Sequence, residues 1–566
     1  MLTRLRTFSS TLLIFLIPAL LSPLLFLGSK EVSCVFCIAL FTCYWVAEVV
    51  PLAVTSLLPL FLFPALGIMS AKNTAQQYLK DTSVMLLITL IAAIAVEECQ
   101  LHRRVALYVL TKTGERFHWT LLAFAFVTTF VSFWMTDTAA TALMLPIAIA
   151  ALEAMELGEA EERSDSFNSE TETTDVVNFD YPTSGPTNRT AHVEGLSKRN
   201  RGIWKSLILV CGHASLIGGL GVITSTTPNL IFKEVVESWY PNHEVKITYM
   251  TWMAFAIPPL IGYLLASWVV LQVVFLGPKS LLDVFRRSTA QEAEQAERMR
   301  TGIKKLSKAL GPVTFAEKSV LFLYAIMILS WMFRDPGFMP GWSALLDTER
   351  RKMVSDTTVG ILVIFAFFAW PRETPDVLYD LHEPVSRRSI LTWDIVHRKL
   401  PWSVLFLIGA GFAISKAVQE SGLSQSMTCI VLETLKNASA LQMQALLTTA
   451  ITFFTETMSN GATASIFIPI SLSIAESLHL HPFYLGIPAA IAPSFAFMLP
   501  MATPPNAIVY ESGVVRMWEM ALAGLILNFL CIGITVLNVN TWAYWFFDMA
   551  DFREDSTPFR NVSTAC

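Results

Sequence analysis

Residues 136–147, Thr136-Asp-Thr-Ala-Ala-Thr-Ala-Leu-Met-Leu-Pro-Ile147, recur 323 positions later as Ser459-Asn-Gly-Ala-Thr-Ala-Ser-Ile-Phe-Ile-Pro-Ile470. The two stretches share a hydroxyl residue, an Asp or Asn, an Ala and a terminal Pro-Ile. A second pair lies 277 positions apart, Thr224-Ser-Thr-Thr-Pro-Asn-Leu-Ile231 and Met501-Ala-Thr-Pro-Pro-Asn-Ala-Ile508. The offsets differ because a long acidic loop interrupts only the first half, so we interpret the chain as an internal duplication.

The sequence around these repeats is strongly apolar. Hydrophobic residues make up 54% of the 566 positions and charged residues 15%, against about 25% charged in a typical soluble domain. A water-soluble enzyme is therefore disfavoured, and long apolar runs predict an all-α polytopic membrane protein with about 11 spanning helices. A net charge of −5 without a dense basic cluster argues against nucleic-acid partners.

The ends of the chain and two long loops set the expected topology. The apolar run 11–27 fits either a signal peptide or a first spanning helix, and we favour the helix because no small-residue cleavage site follows. The basic N-terminus and the Lys/Arg-rich loop at 278–316 are expected in the cytoplasm. An odd number of spans would then put the C-terminal tail outside the cell, with a glycosylation sequon at Asn561.

These patterns divide the chain into six predicted parts. They are a first repeat with N-terminal helices (1–156), an acidic polar cytoplasmic loop (157–203), the rest of the first repeat (204–277), a basic, solvated cytoplasmic loop (278–316), a second repeat (317–550) and an extracellular tail (551–566).

Polar, Pro-containing breaks at matching positions in two apolar halves indicate a transporter with its substrate site near the middle of the membrane. The N-terminus of a broken helix offers N–H groups to an anion, while free carbonyls and Ser, Thr or Asn oxygens can coordinate a cation such as Na⁺. Such side chains can also simply join packed helices. Four of these motifs in register favour the transporter interpretation.

Several longer stretches resemble the divalent anion/sodium symporter family, which includes sodium-coupled dicarboxylate, citrate and sulfate cotransporters. The signature-like stretch is Ser494-Phe-Ala-Phe-Met-Leu-Pro-Met-Ala-Thr-Pro-Pro-Asn-Ala-Ile-Val509. Stretches similar to the animal carboxylate branch are Glu48-Val-Val-Pro-Leu-Ala-Val-Thr-Ser-Leu-Leu-Pro59, Leu101-His-Arg-Arg104, Arg334-Asp-Pro-Gly-Phe-Met-Pro-Gly-Trp342 and Pro401-Trp402. The resemblance covers nearly the whole chain outside the 157–203 loop.

The resemblance implies an inverted-repeat homodimer in the plasma membrane. Each protomer would have 11 spanning helices, two re-entrant hairpins and a transport domain that moves like an elevator against a scaffold. The expected partners are an anionic metabolite, Na⁺ and membrane lipid, without an organic cofactor. Carried onto this chain, substrate would contact Asp137, Thr138, Asn460, Gly461 and Thr503. The first sodium site would use Ser132, Thr136, Asp137 and the backbone near Ser225, and the second Thr455, Met458, Asn460 and Ala502.

Both hairpin motifs depart from the family's Ser-Asn-Thr. Asp137 replaces the family's asparagine, whose amide donates hydrogen bonds, by a carboxyl group. When this group is ionised, it can accept hydrogen bonds but cannot donate them. A substrate carboxylate about 4 Å from an ionised Asp137 would be repelled by about 4 kcal/mol at an effective dielectric near 20. This repulsion would lower the affinity for the substrate roughly a thousandfold. Sodium could neutralise Asp137, the carboxyl could bind a proton, or the substrate could have changed or been lost. Gly461 removes a hydroxyl and is expected to open room, while Ser225 and Thr227 replace family glycines.

Other polar residues have simpler interpretations. His213 could relay protons, but helix packing is favoured, and the Cys34–Cys37 spacing is read as packing because no second pair follows. By resemblance, Glu48 supports the scaffold and Glu456 supports the second hairpin.

Three functions are weighed. A sodium-coupled importer of di- and tricarboxylates (succinate, malate, fumarate and citrate) leads, ahead of a sulfate-type transporter and a non-transporting anion-binding relative. The sequence carries no zinc-protease, nucleophile-elbow or phosphate-loop motif that would support an enzyme.

Overall fold

The computed structural model describes residues 2–47, 49–112, 117–165, 186–240, 247–283, 290–336, 339–374, 388–423, 426 and 438–551. Three predicted features lie outside these residues: Glu48, the sequon at Asn561 with most of the C-terminal tail, and the central part of the acidic loop.

The described residues form helices joined by short connections and contain no strand. The helices before the first repeat motif are Leu2–Leu21, Lys30–Ala47, Leu52–Thr55, Pro59–Ala65, Ala71–Tyr78, Asp81–Glu98 and Leu101–Leu110. Those of the first motif pair are Phe117–Trp134, Asp137–Asp165, Pro186–Gly195, Lys198–Gly218, Thr227–Trp239 and Tyr249–Leu271, the last running into a π-helix at Gln272–Leu276.

The middle of the chain contains Lys279–Asp283, Ala290–Ala309, Phe315–Met332, Thr348–Met353, Asp356–Ala369 and Trp393–Lys399. The helices of the second motif pair are Trp402–Glu420, Ala440–Thr455, Asn460–Ser477, Pro482–Ile491, Pro504–Glu511, Met517–Asn540 and Trp542–Phe546. Short 3₁₀ turns occupy Ser22–Leu27, Trp342–Leu345, Ala492–Ser494 and Met549–Asp551.

Eight helical segments among the described residues are long and apolar enough to cross a membrane. They are Lys30–Ala47, Ala71–Glu98, Phe117–Trp134, Asp137–Glu156, Tyr249–Leu276, Phe315–Met332, Trp402–Glu420 and Met517–Phe546. Three shorter apolar segments are Leu12–Leu27, Leu52–Ala65 and Asp356–Ala369. The chain is therefore a multi-pass membrane protein, as the composition predicts.

The basic segment differs from the expected solvated loop. Residues Ala290–Ala309 form a helix with one apolar face, and the buried side chains of that face are Ala296, Met299, Ile303 and Leu306. This helix packs along Asp137–Asp165, and a Cβ atom added at Gly302 would lie 2.6 Å from the Cβ atom of Ala154. The prediction of a solvated loop over 278–316 was wrong at Ala290–Ala309, because apolar residues recur at helical spacing between the charges of this helix.

The acidic loop is also shorter than predicted. The helix that starts at Asp137 continues to Asp165, and the next long helix begins at Lys198 rather than near residue 204. Ser197 starts that helix by accepting a hydrogen bond from the Asn200 N–H at 3.2 Å. Both ends of the predicted loop are therefore helical.

Cys34 and Cys37 are fully buried and unpaired. They belong to an apolar cluster that joins Lys30–Ala47 to Trp402–Glu420, with Ala410 and Ala413 among its fully buried members. The packing interpretation of these cysteines is confirmed.

Candidate functional site

The first repeat motif forms a tight connection between two helices. Phe117–Trp134 ends, Met135 and Thr136 form the turn, and the helix Asp137–Asp165, here called the first tip helix, begins at once. Thr136 Oγ1 accepts a hydrogen bond from the Ala139 N–H at 3.3 Å, which satisfies one of the free donors at the start of the helix.

Asp137 lies in the first turn of this helix and is partly exposed. Its Oδ1 accepts hydrogen bonds from the Thr138 N–H at 2.8 Å and from Thr138 Oγ1 at 3.4 Å. A carboxylate is favoured at the positive end of a helix. None of the described Lys, Arg or His side chains forms an ion pair with it. Asp137 thus uses a donor that a bound anion would otherwise use.

The second motif forms a similar connection between Ala440–Thr455 and Asn460–Ser477, here called the second tip helix. Ser459 Oγ accepts from the Ala462 N–H at 3.3 Å and so caps the helix. Asn460 Oδ1 lies 3.2 Å from Thr455 Oγ1, which is also 2.8 Å from the Pro493 carbonyl. The amide NH₂ of Asn460 makes no hydrogen bond within the described chain, so this tip offers donors where the first offers a carboxylate.

Each later motif interrupts a helix with an irregular stretch. The first break, residues 219–226, separates Lys198–Gly218 from Thr227–Trp239, the first break helix. The second break, residues 495–503, precedes Pro504–Glu511, the second break helix. Proline in the first turn of each break helix fits its start, because the missing N–H would be unpaired there anyway.

An asparagine stabilises each break in the same way. The Asn229 amide donates to the carbonyls of Gly219 at 3.2 Å and Val222 at 3.0 Å. The Asn506 amide donates to the carbonyls ten and seven positions earlier, at Ala496 (2.7 Å) and Leu499 (3.0 Å). These bonds span the same number of residues in both halves, so the sequence repeat corresponds to a repeat of local structure.

Four buried oxygens lie at the same paired positions. Thr226 Oγ1 and Asn229 Oδ1 in the first half, and Thr503 Oγ1 and Asn506 Oδ1 in the second, make no hydrogen bond in the described structure. Their residues are at most 9% exposed. A buried polar atom without a partner costs about 1–3 kcal/mol, and in a native structure it calls for an explanation such as a bound ion. Neutral oxygens are suitable ligands for a hard cation.

Three of these residues, Thr226, Asn229 and Asn506, were absent from the predicted ligand sets. Their signal was present in the sequence, because both halves carry Thr, any residue, Pro and Asn in a row: Thr226-Thr-Pro-Asn229 and Thr503-Pro-Pro-Asn506. Thr503 itself was predicted to contact substrate, and its hydroxyl is buried.

The predicted first sodium ligands lie around one junction. Ser132 Oγ donates to the Ser215 carbonyl at 2.6 Å, and Ser225 Oγ donates to the Phe133 carbonyl at 2.7 Å. The second of these bonds joins the end of Phe117–Trp134 to the first break, and the hydroxyls of Ser132 and Ser225 are already bonded to backbone.

Two of the predicted second sodium ligands, Thr455 and Met458, lie on either side of the buried Glu456 in the sequence. Glu456 accepts from the Met498 N–H at 3.0 Å, the Leu499 N–H at 3.1 Å and the Asn528 amide at 2.8 Å. Because Glu456 follows Thr455 and precedes Met458, it ties this tip to the second break, and its position agrees with the predicted support role. Met458 and Ala502 are 3% and 4% exposed.

The two halves interlock at the tips. The first break helix packs on the second tip helix, and the second break helix packs on the first tip helix. A Cβ atom at Gly461 would lie 3.0 Å from Thr227 Cγ2 and 2.9 Å from Leu407 Cδ2. Gly461 therefore opens no empty space; that expectation was wrong, because Thr227 and Leu407 fill it.

His213 is a packed side chain. It is fully buried, its Nδ1 lies 3.3 Å from Ser267 Oγ, and its ring contacts Phe497 edge-on at 5.2 Å between centroids. The described residues contain no cluster of three or more His, Cys, Asp or Glu side chains that could hold a metal ion.

Comparisons with known proteins agree with the repeats and breaks. The model of the sodium:sulfate symporter transmembrane region matches residues 2–549. An uncharacterized transporter of Caenorhabditis elegans is 46% identical over 97% of this chain and 95% of its own length. The sodium-dependent high-affinity dicarboxylate transporter 2 of the same species is 43% identical over 97% of each chain. The Na(+)/citrate cotransporter of Rattus norvegicus is 34% identical over 98% of each chain.

The family model spans nearly the whole chain, and the relatives exceed 30% identity over almost their full lengths. The resemblance seen in the motifs is therefore confirmed: the chain belongs to the divalent anion/sodium symporter family, in its animal branch, and is a transporter rather than an enzyme.

Proposed function

We propose that the chain is a sodium-coupled symporter that imports di- and tricarboxylates, with succinate, malate, fumarate and citrate as the substrate class. The observation that carries the proposal is the set of four buried, unpaired oxygens at equivalent positions in the two breaks. These oxygens suit a cation in each half. The relatives named for sodium-dependent dicarboxylate and citrate transport support carboxylate anions as the substrates.

The substrate would lie between the two tips. Thr138, Asn460 and the N-termini of the tip helices offer hydrogen-bond donors to carboxylates, and the Asn460 amide has two donors free. Asp137, Gly461 and Thr503 complete the proposed contacts. No arginine occurs in either tip motif, so the bound cations would supply the positive charge.

The sodium ions would lie beside the breaks. In the first half we place the ion near Ser132, Thr136, Asp137 and the backbone at Ser225, and add Thr226 Oγ1 and Asn229 Oδ1. In the second half it would lie near Thr455, Met458, Asn460 and Ala502, with Thr503 Oγ1 and Asn506 Oδ1. An ion next to Asp137 would offset the repulsion between its carboxylate and the substrate.

The structural basis of transport would be an elevator motion in a homodimer, with about 11 spanning helices and two re-entrant hairpins. Two observations support the hairpins: each tip connects two helices through a very short turn, and each break helix packs on the tip helix of the other half. An interlocked unit of this kind can move as one body.

In the plasma membrane, the N-terminus would lie in the cytoplasm and the C-terminus outside, with Asn561 glycosylated. The basic residues of Ala290–Ala309 support a cytoplasmic position for this part of the chain. The six parts predicted from the sequence would then alternate between membrane and solvent, with helical ends at both long loops.

A sulfate-type substrate is the second candidate, because the matching family model is described by sulfate transport. Uptake of labelled succinate by cells expressing the chain, with Na⁺ or with choline, separates the two. We expect uptake that requires Na⁺ and is competed by fumarate. Uptake blocked by excess sulfate but unaffected by fumarate would contradict the carboxylate assignment, and binding without flux would point to a non-transporting relative.

A further inference from the structure

The two repeats differ in where they carry one hydroxyl group. Alignment by the 323-residue offset pairs Thr138 of the first tip with Gly461 of the second, so the second tip lacks a hydroxyl. Alignment by the 277-residue offset pairs Thr227 of the first break helix with Pro504 of the second. The first break helix therefore has a hydroxyl group that the second lacks.

These two irregular positions touch. A Cβ atom built on Gly461 would lie 3.0 Å from Thr227 Cγ2 and 3.3 Å from Thr227 Cβ. The methyl group and Cβ of Thr227 therefore occupy the volume that a side chain on the second tip would need. Leu407 closes the other side, at 2.9 Å from the same Cβ position. A glycine at 461 and a threonine at 227 fit each other, whereas side chains at both positions would collide.

The Thr227 hydroxyl is available for a ligand. Thr227 is the first residue of its break helix, directly after the N-cap Thr226, and it is partly exposed. Within the described structure its Oγ1 makes no hydrogen bond, whereas Ser225 is bonded to the Phe133 carbonyl. The adjoining Thr226 has a buried, unpaired oxygen. Neither threonine hydroxyl at the start of this helix is therefore bonded to the backbone.

We infer that Thr227 supplies the substrate-contacting hydroxyl of the second tip, in place of a side chain at Gly461. In the first half the hydroxyl comes from the tip at Thr138; in the second it comes from the break helix that packs on that tip. Thr227 is therefore a binding residue for the carboxylate that lies against Asn460. This inference rests on the proposed function and names a further contact within the same site.

The test measures succinate uptake for single and exchanged variants. Thr227→Val keeps the shape and removes the donor, and we expect KM to rise about ten- to hundredfold, the effect of losing a hydrogen bond to a charged acceptor. Thr227→Ser keeps the hydroxyl and should stay near wild type. Thr457→Val is the matched control, because Thr457 is an exposed threonine in the turn of the same tip whose hydroxyl donates only to the nearby Phe454 carbonyl.

The exchange of the two side chains separates a binding role from a packing role. Gly461→Thr alone should lose uptake through the collision with Thr227, because the flexible end of the Leu407 side chain can turn away whereas Thr227 is held at the start of its helix. Thr227→Gly combined with Gly461→Thr should bring KM back to within a few-fold of wild type. Surface biotinylation checks that each variant reaches the membrane. A wild-type KM for Thr227→Val, or a double variant no better than Gly461→Thr, would overturn the inference while leaving the proposed function in place. Absence of Na⁺-dependent carboxylate uptake by the wild type would overturn both.

Discussion

Replacing Asp137 by asparagine should change how strongly transport depends on sodium. The carboxylate accepts the Thr138 N–H at 2.8 Å at the start of the first tip helix, where an anionic substrate would compete for the same donors. No described basic side chain pairs with it, so in the proposed function a sodium ion offsets its charge. The Asn variant keeps the size of the side chain and removes that charge.

The magnitude follows from Coulomb's law. Opposite charges about 4 Å apart at an effective dielectric near 20 attract by about 4 kcal/mol. Part of this attraction is lost to desolvation of the ion and the carboxylate. If a third remains, about 1.4 kcal/mol, the half-saturating Na⁺ concentration rises about tenfold in Asp137→Asn.

The assay is initial-rate succinate uptake against Na⁺ concentration at several pH values, for wild type, Asp137→Asn and the control Thr136→Ser. The control keeps the hydroxyl that accepts the Ala139 N–H and should stay within about twofold of wild type. If a proton rather than Na⁺ neutralises the carboxyl, the Asn variant instead loses pH dependence. Wild-type curves for both Na⁺ and pH would show that Asp137 lies outside the site and would refute the reasoning.

Three further predictions follow from single contacts. Asn506→Ala removes two hydrogen bonds to carbonyls of the second break and should lower the free energy of unfolding by about 2–4 kcal/mol. Thermal unfolding in detergent should show a lower midpoint and a smaller rise of that midpoint on adding Na⁺. An unchanged midpoint would contradict this. Lys205→Met removes the ammonium group that lies 2.5 Å from the buried Glu519 carboxylate. The free energy of unfolding should fall by about 3–5 kcal/mol, and the double variant with Glu519→Leu should largely recover it. Gly302→Leu should lower the unfolding midpoint because the first tip helix lies against that glycine, whereas Thr301→Leu on the exposed side of the same helix should not; equal effects would argue against the packing described.

The sequence predicted the breaks because they depend on local chemistry. Proline at 228 and 505 cannot donate a backbone N–H, and in both halves it directly precedes an asparagine that can bond free carbonyls. The helical class and the membrane location followed from the apolar runs. Ser459 and Thr136 cap the tip helices, as expected for small hydroxyl residues before an apolar helix.

Contacts between distant segments could not be predicted from the sequence. The fit of Gly461 against Thr227 depends on how two halves of the chain pack, and no local pattern encodes that distance. Likewise, the buried face of Ala290–Ala309 is diluted by eight charged residues in a 20-residue helix, so composition alone suggested a solvated loop. The ligand sets missed Asn229 and Asn506 because the repeated Thr-x-Pro-Asn pattern marks their positions, whereas only the folded structure shows that their side-chain oxygens are buried without a partner.

A ligand-bound cryo-EM structure in saturating Na⁺ and succinate tests the central claim most directly. The predicted result is density for the dicarboxylate in contact with Thr138 and Asn460, with a cation beside Thr226 and Asn229 and another beside Thr503 and Asn506. Tips that lie apart or face lipid, with succinate bound elsewhere, would contradict it.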